Sequence, residues 1–396
     1  MKRLFIEPLD VLMFRSERPF IARESHVAKL GVISPLTFEG AIKSKILLKF
    51  CKMKNYSPSD FQRKKNEDED SFKKRIKKMS EEYKELKEVL VAVGHPVVNS
   101  ESSIQVLGVF FSRKEKREEY FPTPNDIVRK DDLDDEILKL KPILKKELKI
   151  PNTENYACLS THSKIKEKRG LISFNALKDY LWGGIPNKSQ ITENPYKTEL
   201  RVGIRLEKRT KTTVEGHLYT AEFLRLKDWK EKWGFIVWVN DKHALLDKYL
   251  NGSEVIKLGG EGKGAICTKI DEMNLADKLG FSELIEKINE EGRFKLYLAT
   301  PSHLGDGWRL SKELKDELKD RLGINELNLK AALPGKPVYV GGYDFAMNVE
   351  KPLRRWVNAG AVYYYEFDGK IKSDLNLPIK ILNTNIDVRC AFIGRW

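Results

Sequence analysis

The residues of this chain best suited to chemistry stand in loops. Arg15 and Arg18 flank a turn between two aromatics in Glu7-Pro8-Leu9-Asp10-Val11-Leu12-Met13-Phe14-Arg15-Ser16-Glu17-Arg18-Pro19-Phe20. Guanidinium forks match phosphate oxygens in pairs, and aromatic faces stack on unpaired bases. Asp10 can pin such a loop by accepting backbone N–H groups. A structured loop whose arginines pair with acids such as Glu17 fits the same residues. His26 follows beside Arg23 and Lys29. An imidazole there could serve as general acid or base in attack by an RNA 2′-hydroxyl, although a lone loop histidine is more often a hydrogen-bonding surface residue.

A second segment, Leu258-Gly259-Gly260-Glu261-Gly262-Lys263-Gly264-Ala265, places four glycines within six residues. Glycine lets a backbone approach a ligand and turn its N–H groups toward phosphate. It is not a nucleotide-hydrolysing P-loop, because Lys257 stands where that motif needs glycine and Gly264 where it needs Ser or Thr. A tight turn between strands reads equally well. The third set comprises Thr300-Pro301-Ser302-His303, Gly305-Asp306-Gly307-Trp308 and Gly341-Gly342-Tyr343-Asp344. These are either recognition loops or turns that pack Trp308 and Tyr343 into a core.

Catalytic sets are otherwise thin. The six histidines (26, 95, 162, 217, 243 and 303) form no HExxH pattern, and no GxSxG site is present. Cys51, Cys158, Cys267 and Cys390 form no CxxC pair, so a reducing cytoplasm is expected and neither metal nor cofactor is. Cys158 and His162 lack the second ligand pair a zinc site needs. With 72 Lys and Arg against 58 Asp and Glu, the 396-residue chain carries a net charge of +14, which favours a polyanionic partner. Only three glutamines stand among its many lysines and glutamates, a bias resembling thermophile proteins. Its apolar runs are far shorter than the ~20 residues of a membrane span, and Met1-Lys2-Arg3-Leu4-Phe5-Ile6-Glu7 does not read as a secretion signal.

The elements that must position these loops are mixed. Leu4–Ile6 reads as a strand, Pro8–Ser34 as a basic loop, and Thr37 as the cap of a helix through Leu48. Phe72, Ile76, Met79, Tyr83, Leu86 and Leu90 recur at helical spacing, predicting one amphipathic helix in a charged insertion over about 58–90. Its basic run reads foremost as a solvated face. Strands are expected at 104–111 and 119–121, a helix within 129–149, and another over Leu171–Leu181. Strands follow at 199–206, 218–226, 235–240, 294–299, 338–340 and 361–367, with a helix at 282–290. Strand, basic loop and helix form the first half of a ferredoxin-like unit. Two α/β blocks of similar length result, 1–195 and 196–396, with no fixed-period repeat.

The ordered motifs resemble a known family, the third subunit of the Cmr complex, a type III-B CRISPR RNA-guided effector built from RAMP-superfamily proteins. The resemblance rests on Pro8-Leu9-Asp10 through Phe20, on Ser34-Pro35-Leu36-Thr37-Phe38-Glu39-Gly40-Ala41-Ile42-Lys43, and on Glu119-Tyr120-Phe121-Pro122-Thr123-Pro124-Asn125-Asp126. Glu199-Leu200-Arg201-Val202-Gly203-Ile204, Glu215-Gly216-His217-Leu218-Tyr219 and Leu258–Gly264 continue it. Thr300-Pro301, Gly307-Trp308, Gly341–Asp344 and Ala359–Tyr364 complete it over nearly the whole chain. The end departs from the pattern. Many RAMP proteins close on a glycine-rich loop, whereas Val388–Trp396 has only Gly394, with Arg389 and Arg395 beside it.

The resemblance implies an α+β fold of two ferredoxin-like (RRM-like, RAMP) domains with charged helical insertions. It implies a non-catalytic subunit that binds the 5′ handle of CRISPR RNA, docks the large polymerase-like subunit and sits beside other RAMP subunits in antiviral defence. Arg15, Arg18 and Lys43 are then the phosphate candidates, and Phe14 and Phe20 stack on bases or pack the loop. Gly259, Gly260, Gly262 and Gly264 bring backbone close to RNA, and Lys263 adds charge. A metal-independent CRISPR RNA-processing ribonuclease using His26, or a scaffold with protein contacts only, are the competing expectations.

Overall fold

The computed structural model describes residues 1–14, 27–99, 101–131, 136–143, 158–160, 164–167, 170–207, 209–210, 212–227 and 231–396. Arg15, Arg18, Phe20 and His26 lie outside the described residues, as do His162 and the side chains of Cys158 and His217. The chain divides into two compact units, each built from three stretches: 1–117, 195–273 and 339–354 form one; 118–194, 274–338 and 355–396 form the other. The boundary expected near 195 is one of five crossings, so the units are interleaved and not the consecutive blocks 1–195 and 196–396. Strand pairing supplies the reason. Trp233–Asp241, from beyond 196, inserts between Lys2–Pro8 and Ile104–Arg113 and completes their hydrogen bonding.

One sheet of the first unit takes, in chain order, strands Lys2–Pro8, Ile104–Arg113, Trp233–Asp241 and Gly264–Glu272. Across the sheet they lie second, third, first, fourth, each neighbouring pair antiparallel, with Ser253–Lys257 at the edge. Helix Pro35–Lys54 connects the first two. Ser34, not Thr37, caps it, its hydroxyl accepting the Leu36 N–H, because Pro35 has no N–H to satisfy and suits the first helical position. Asn55, in the left-handed conformation, ends the helix. Phe38, fully buried, sets its ring edge-on to Phe235 at 5.2 Å and parallel to Phe14 at 6.0 Å. Removing such a ring costs about 3–5 kcal/mol.

The insertion contains two helices where the periodicity predicts one: Glu69–Glu82 and Lys84–Val93, broken at Tyr83, whose backbone is extended. Asp68 caps the first. Phe61, Phe72, Ile76, Leu86 and Leu90 make its buried core, and His95, also buried, bonds the Phe61 carbonyl through Nε2.

In the second unit the long strands are Arg293–Leu298, Ile324–Leu333, Val362–Gly369 and Asp387–Gly394. They too lie second, third, first, fourth, all antiparallel, with Ile379–Leu382 at the edge. Helix Lys312–Leu322 connects the first two. Alternation along Arg293–Leu298 sorts its side chains by face. Leu296 and Leu298 join Leu314 and Leu318 of that helix in an apolar lining. Lys295 and Tyr297 face the other way, meeting Tyr180 and Pro122.

Tyr180 belongs to helix Phe174–Leu181, capped by Ser173 and preceded by the short strand Leu171–Ser173, where the sequence predicts helix throughout. The helix expected within 129–149 is instead strands, Ile127–Lys130, Ile137–Lys139 and Lys141–Ile143, among the described residues. Pairing with Ile165–Glu167 and Cys158–Ser160 outweighs the local helix preference of these residues. No helix of the described residues is long and apolar enough to cross a membrane.

Candidate nucleic-acid interface

The predicted site segments converge in the first unit on one antiparallel hairpin, Tyr196–Leu206 with Thr213–Leu226. The stretch after the first strand is pinned to it. Leu12 and Leu224 exchange both backbone hydrogen bonds, at 2.9 and 2.8 Å. After residue 26, Val27–Ala28 pairs in parallel with Thr220–Ala221, and the Leu30 N–H donates to Glu222 at 2.8 Å. Both ends of the 15–26 segment are thus anchored on the strand Thr213–Leu226 or beside it. Val11, Met13, Ala221 and Phe223 form the small apolar cluster that holds them.

The glycine segment joins the same place. It is the turn between strands Ser253–Lys257 and Gly264–Glu272, so the turn expectation holds. Leu258 N–H donates to the Lys263 carbonyl at 2.8 Å, closing it. Gly259, Glu261 and Gly262 all have positive φ. The Gly260 N–H donates to the Met13 carbonyl at 2.8 Å, while Leu9 N–H donates to the Gly264 carbonyl at 3.0 Å. Gly259 therefore serves close backbone approach to Met13, and Gly264 leaves room for the Leu9 side chain. A Cβ on Gly262 meets nothing within 4 Å, so that side of the turn faces open space.

Above this frame stands a charged platform around Phe223. The Lys263 ammonium lies 5.1 Å from the ring centroid and the Arg201 guanidinium 5.4 Å. Asp10 does its pinning with its side chain, accepting from Arg201 and Arg225 at 3.0 Å each. Glu199 holds the same two arginines, Arg201 through Nε at 2.7 Å and Arg225 through Nε and Nη2. The Arg225 and Arg201 hydrogen bonds pull the Glu199 carboxyl down to about 2. Asp10 is lowered as well: partial desolvation works against this, and the bond to Arg201 and the charges of Arg201 and Arg225 prevail. Two carboxylates thus fix two guanidiniums edge to edge. Among the described residues Lys263 makes no ion pair and is the loose cation of the group.

Sequence reasoning named Asp10, Glu199 and Arg201 only as pieces of separate motifs and missed Phe223 and Arg225. Their signal was the two-residue alternation of a hairpin whose inner face carries Glu199, Arg201 and Phe223. The outer face of Tyr196–Leu206 presents Leu200, Val202, Ile204 and Leu206, each 46–66% exposed.

Other predicted residues sit elsewhere. Lys43 is bound by Glu39 at 2.5 Å, one helical turn earlier, and both side chains are largely covered. The second Glu39 oxygen accepts the buried Val106 N–H. In the second unit Trp308 is 40% exposed, and in the first Tyr343 is 54% exposed, so neither packs into a core. Arg389 is held by Asp387 and Arg395 by Glu291. Gly394 serves close packing, since a Cβ there would stand 2.7 Å from the Leu181 carbonyl oxygen. Asp126, from the Glu119–Asp126 motif, is fully buried and accepts the hydroxyls of Tyr180 and Tyr364.

Comparison with curated proteins gives no match. Among solved structures, the chain resembles a chain of the type III-B Cmr-beta complex bound to cognate target RNA and AMPPnP, at 15% identity and a TM-score of 0.45, covering 92% of this chain and 86% of that one. The same complex bound to cognate target RNA gives 16% identity, the same TM-score and the same coverage. Its apo state gives 12% identity and a TM-score of 0.29, over 68% and 97% of the two chains. The family model described as CRISPR-associated protein (Cas_Cmr3) matches residues 4–380, nearly the whole chain, and on that match the protein belongs to the Cas_Cmr3 family of CRISPR-associated proteins.

Proposed function

We propose that this protein is a non-catalytic RNA-binding subunit of a type III-B Cmr effector, holding the 5′ handle of CRISPR RNA and docking the large polymerase-like subunit. The observation that carries the reading is the convergence in the first unit. The anchored ends of the 15–26 segment, the glycine turn and the Phe223 platform with its cations meet at one hairpin. Lys263 and the loop arginines supply phosphate contacts, the fixed guanidiniums of Arg201 and Arg225 offer planar surfaces for bases, and the open side of the turn admits a backbone. Lys43 has a weaker claim, because Glu39 already neutralises it. The outer aliphatic stripe of the hairpin, Leu200 to Leu206, is the surface assigned to a protein subunit of the complex. Each unit is read as a ferredoxin-like domain, a reading supported by the shared strand order and the helix joining the first two strands.

The test is a titration of CRISPR RNA bearing its 5′ handle against the wild-type chain and an Arg15→Ala/Arg18→Ala/Lys263→Ala variant. Each phosphate contact on single-stranded RNA contributes ~0.7 to the log–log salt slope, so the variant should lose about 2 units of slope if all three contacts form. An unchanged slope and affinity would sink the assignment. Incubation of the pure protein with repeat RNA in chelator tests the processing reading. Cleavage abolished by His26→Ala would replace the non-catalytic assignment with a ribonuclease.

A further inference from the structure

In the second unit a cavity of about 240 Å³ is lined by Lys139, Leu140, Lys141, Pro142, Arg293, Tyr364 and Trp396. It presents three cations, two aromatic rings, two apolar residues and no acidic side chain. Elsewhere Lys43, Arg201 and Arg395 are held by acids. Among the described residues Lys139, Lys141 and Arg293 have no carboxylate partner. Glu366, directly across the strand pair from Arg293, is taken by Lys330 at 2.7 Å.

The cavity wall is built. The Arg293 guanidinium lies 4.9 Å from the centroid of the Trp396 indole. Tyr364 meets that indole edge-on at 5.2 Å, and its hydroxyl is tied to the buried Asp126 at 2.6 Å. Lys139 stands over the Tyr180 ring and donates to the Gly183 carbonyl at 3.3 Å. Behind it Lys295 is fully buried, its Nζ 2.6 Å from the Tyr180 carbonyl oxygen. Asp126 opposes the buried Lys295, while the lining cations Lys139, Lys141 and Arg293 are open to an anion that enters the cavity.

We propose that this cavity binds a nucleoside monophosphate group, with the phosphate between the cations and the base against the Trp396–Arg293 wall. The volume exceeds the ~150 Å³ that accommodates a benzene ring in a protein interior, leaving room for one base beside a phosphate. Cation-lined walls with flat π surfaces suit that pairing of charge and ring. The same chemistry is offered by a free nucleotide and by a single nucleotide of an RNA strand. The site shares no residue with the hairpin platform of the first unit and does not rest on the function proposed above.

The full chain would be titrated by calorimetry with AMP, adenosine, inorganic phosphate and a 5′-phosphorylated penta-adenylate. Binding of AMP or of the oligonucleotide is expected, with adenosine and phosphate each weaker by about tenfold or more. Lys141→Ala and Arg293→Ala, both at exposed positions, should each cost about tenfold, the loss of one charge-assisted contact. Tighter AMP than oligonucleotide identifies a free nucleotide as the source of the group; the reverse identifies RNA. Lys263→Ala with Phe223→Leu should leave AMP affinity unchanged, which separates this site from the proposed RNA face. The proposal is overturned if neither AMP nor the oligonucleotide binds, if phosphate matches AMP, or if the Lys141→Ala/Arg293→Ala pair leaves binding intact.

Discussion

Gly259 lies so close to Met13 that a Cβ at position 259 would stand 2.4 Å from the Met13 carbonyl oxygen, the same oxygen that accepts the Gly260 N–H. The glycine turn is thus part of the anchor of the opening motif. Gly262, three residues on, also has positive φ but borders open space. Gly262→Ala should therefore cost only the left-handed backbone penalty, about 1–2 kcal/mol. Gly259→Ala adds a backbone clash and should cost ~2 kcal/mol beyond that. Urea denaturation of the two variants checks the difference, and equal losses would show that the approach to Met13 can relax.

The Asp10–Arg201–Glu199–Arg225 network has an acid-side signature. Glu199 titrates near 2, well below its ordinary value of 4.5, because Arg225 and Arg201 bond its charged form. A lowered carboxyl stabilises the fold above its unfolded value and loses that contribution as pH falls through the folded one. Stability from this network should be intact at pH 5 and decline from about 4.5 toward 2. Carboxyl-carbon NMR titration should place Glu199 near the bottom of the range, and Arg225→Met should move it upward. A Glu199 midpoint that ignores Arg225→Met would contradict the geometry.

The two faces of strand Tyr196–Leu206 should separate by function. Leu200→Ser/Val202→Ser alters only exposed side chains, so the melting temperature should stay within a few degrees. Pull-down of the large subunit should weaken, while affinity for handle RNA is retained. Loss of RNA binding with retained subunit docking would reverse the assignment of the faces.

Asp126 should be a structural keystone of the second unit. Its buried carboxylate accepts the Tyr180 hydroxyl at 2.8 and 2.9 Å and the Tyr364 hydroxyl at 2.6 Å. Asp126→Ala strands two buried hydroxyls and removes the charge opposing Lys295, whose ammonium burial pushes well below the usual lysine range, with Lys139 adding to the effect. A loss of about 3–5 kcal/mol is expected, against about 1–2 for Tyr364→Phe, which removes one donor. Thermal unfolding of both variants measures the ratio.

The sequence alone determined the family, because the motif series from Pro8 to Tyr364 is ordered and local, and it determined an α+β fold, because hydrophobic period and cap residues are local too. Ser282–Glu290 and the strands at 235–240 and 294–299 were legible for that reason. The strands at 127–130, 137–139 and 141–143 were not, since they exist through pairing with one another and with partners at 158–160 and 165–167. Tertiary structure alone decided that the units interleave, because a sheet accepts strands from any chain distance if the register fits. It alone assembled Asp10, Glu199, Arg201, Phe223, Arg225 and Lys263, which span more than 250 positions and meet only when Leu12 bonds Leu224 and Gly260 bonds Met13. Spacing along a chain encodes what neighbours can do, whereas a binding face is set by which backbones approach, and that is fixed by packing.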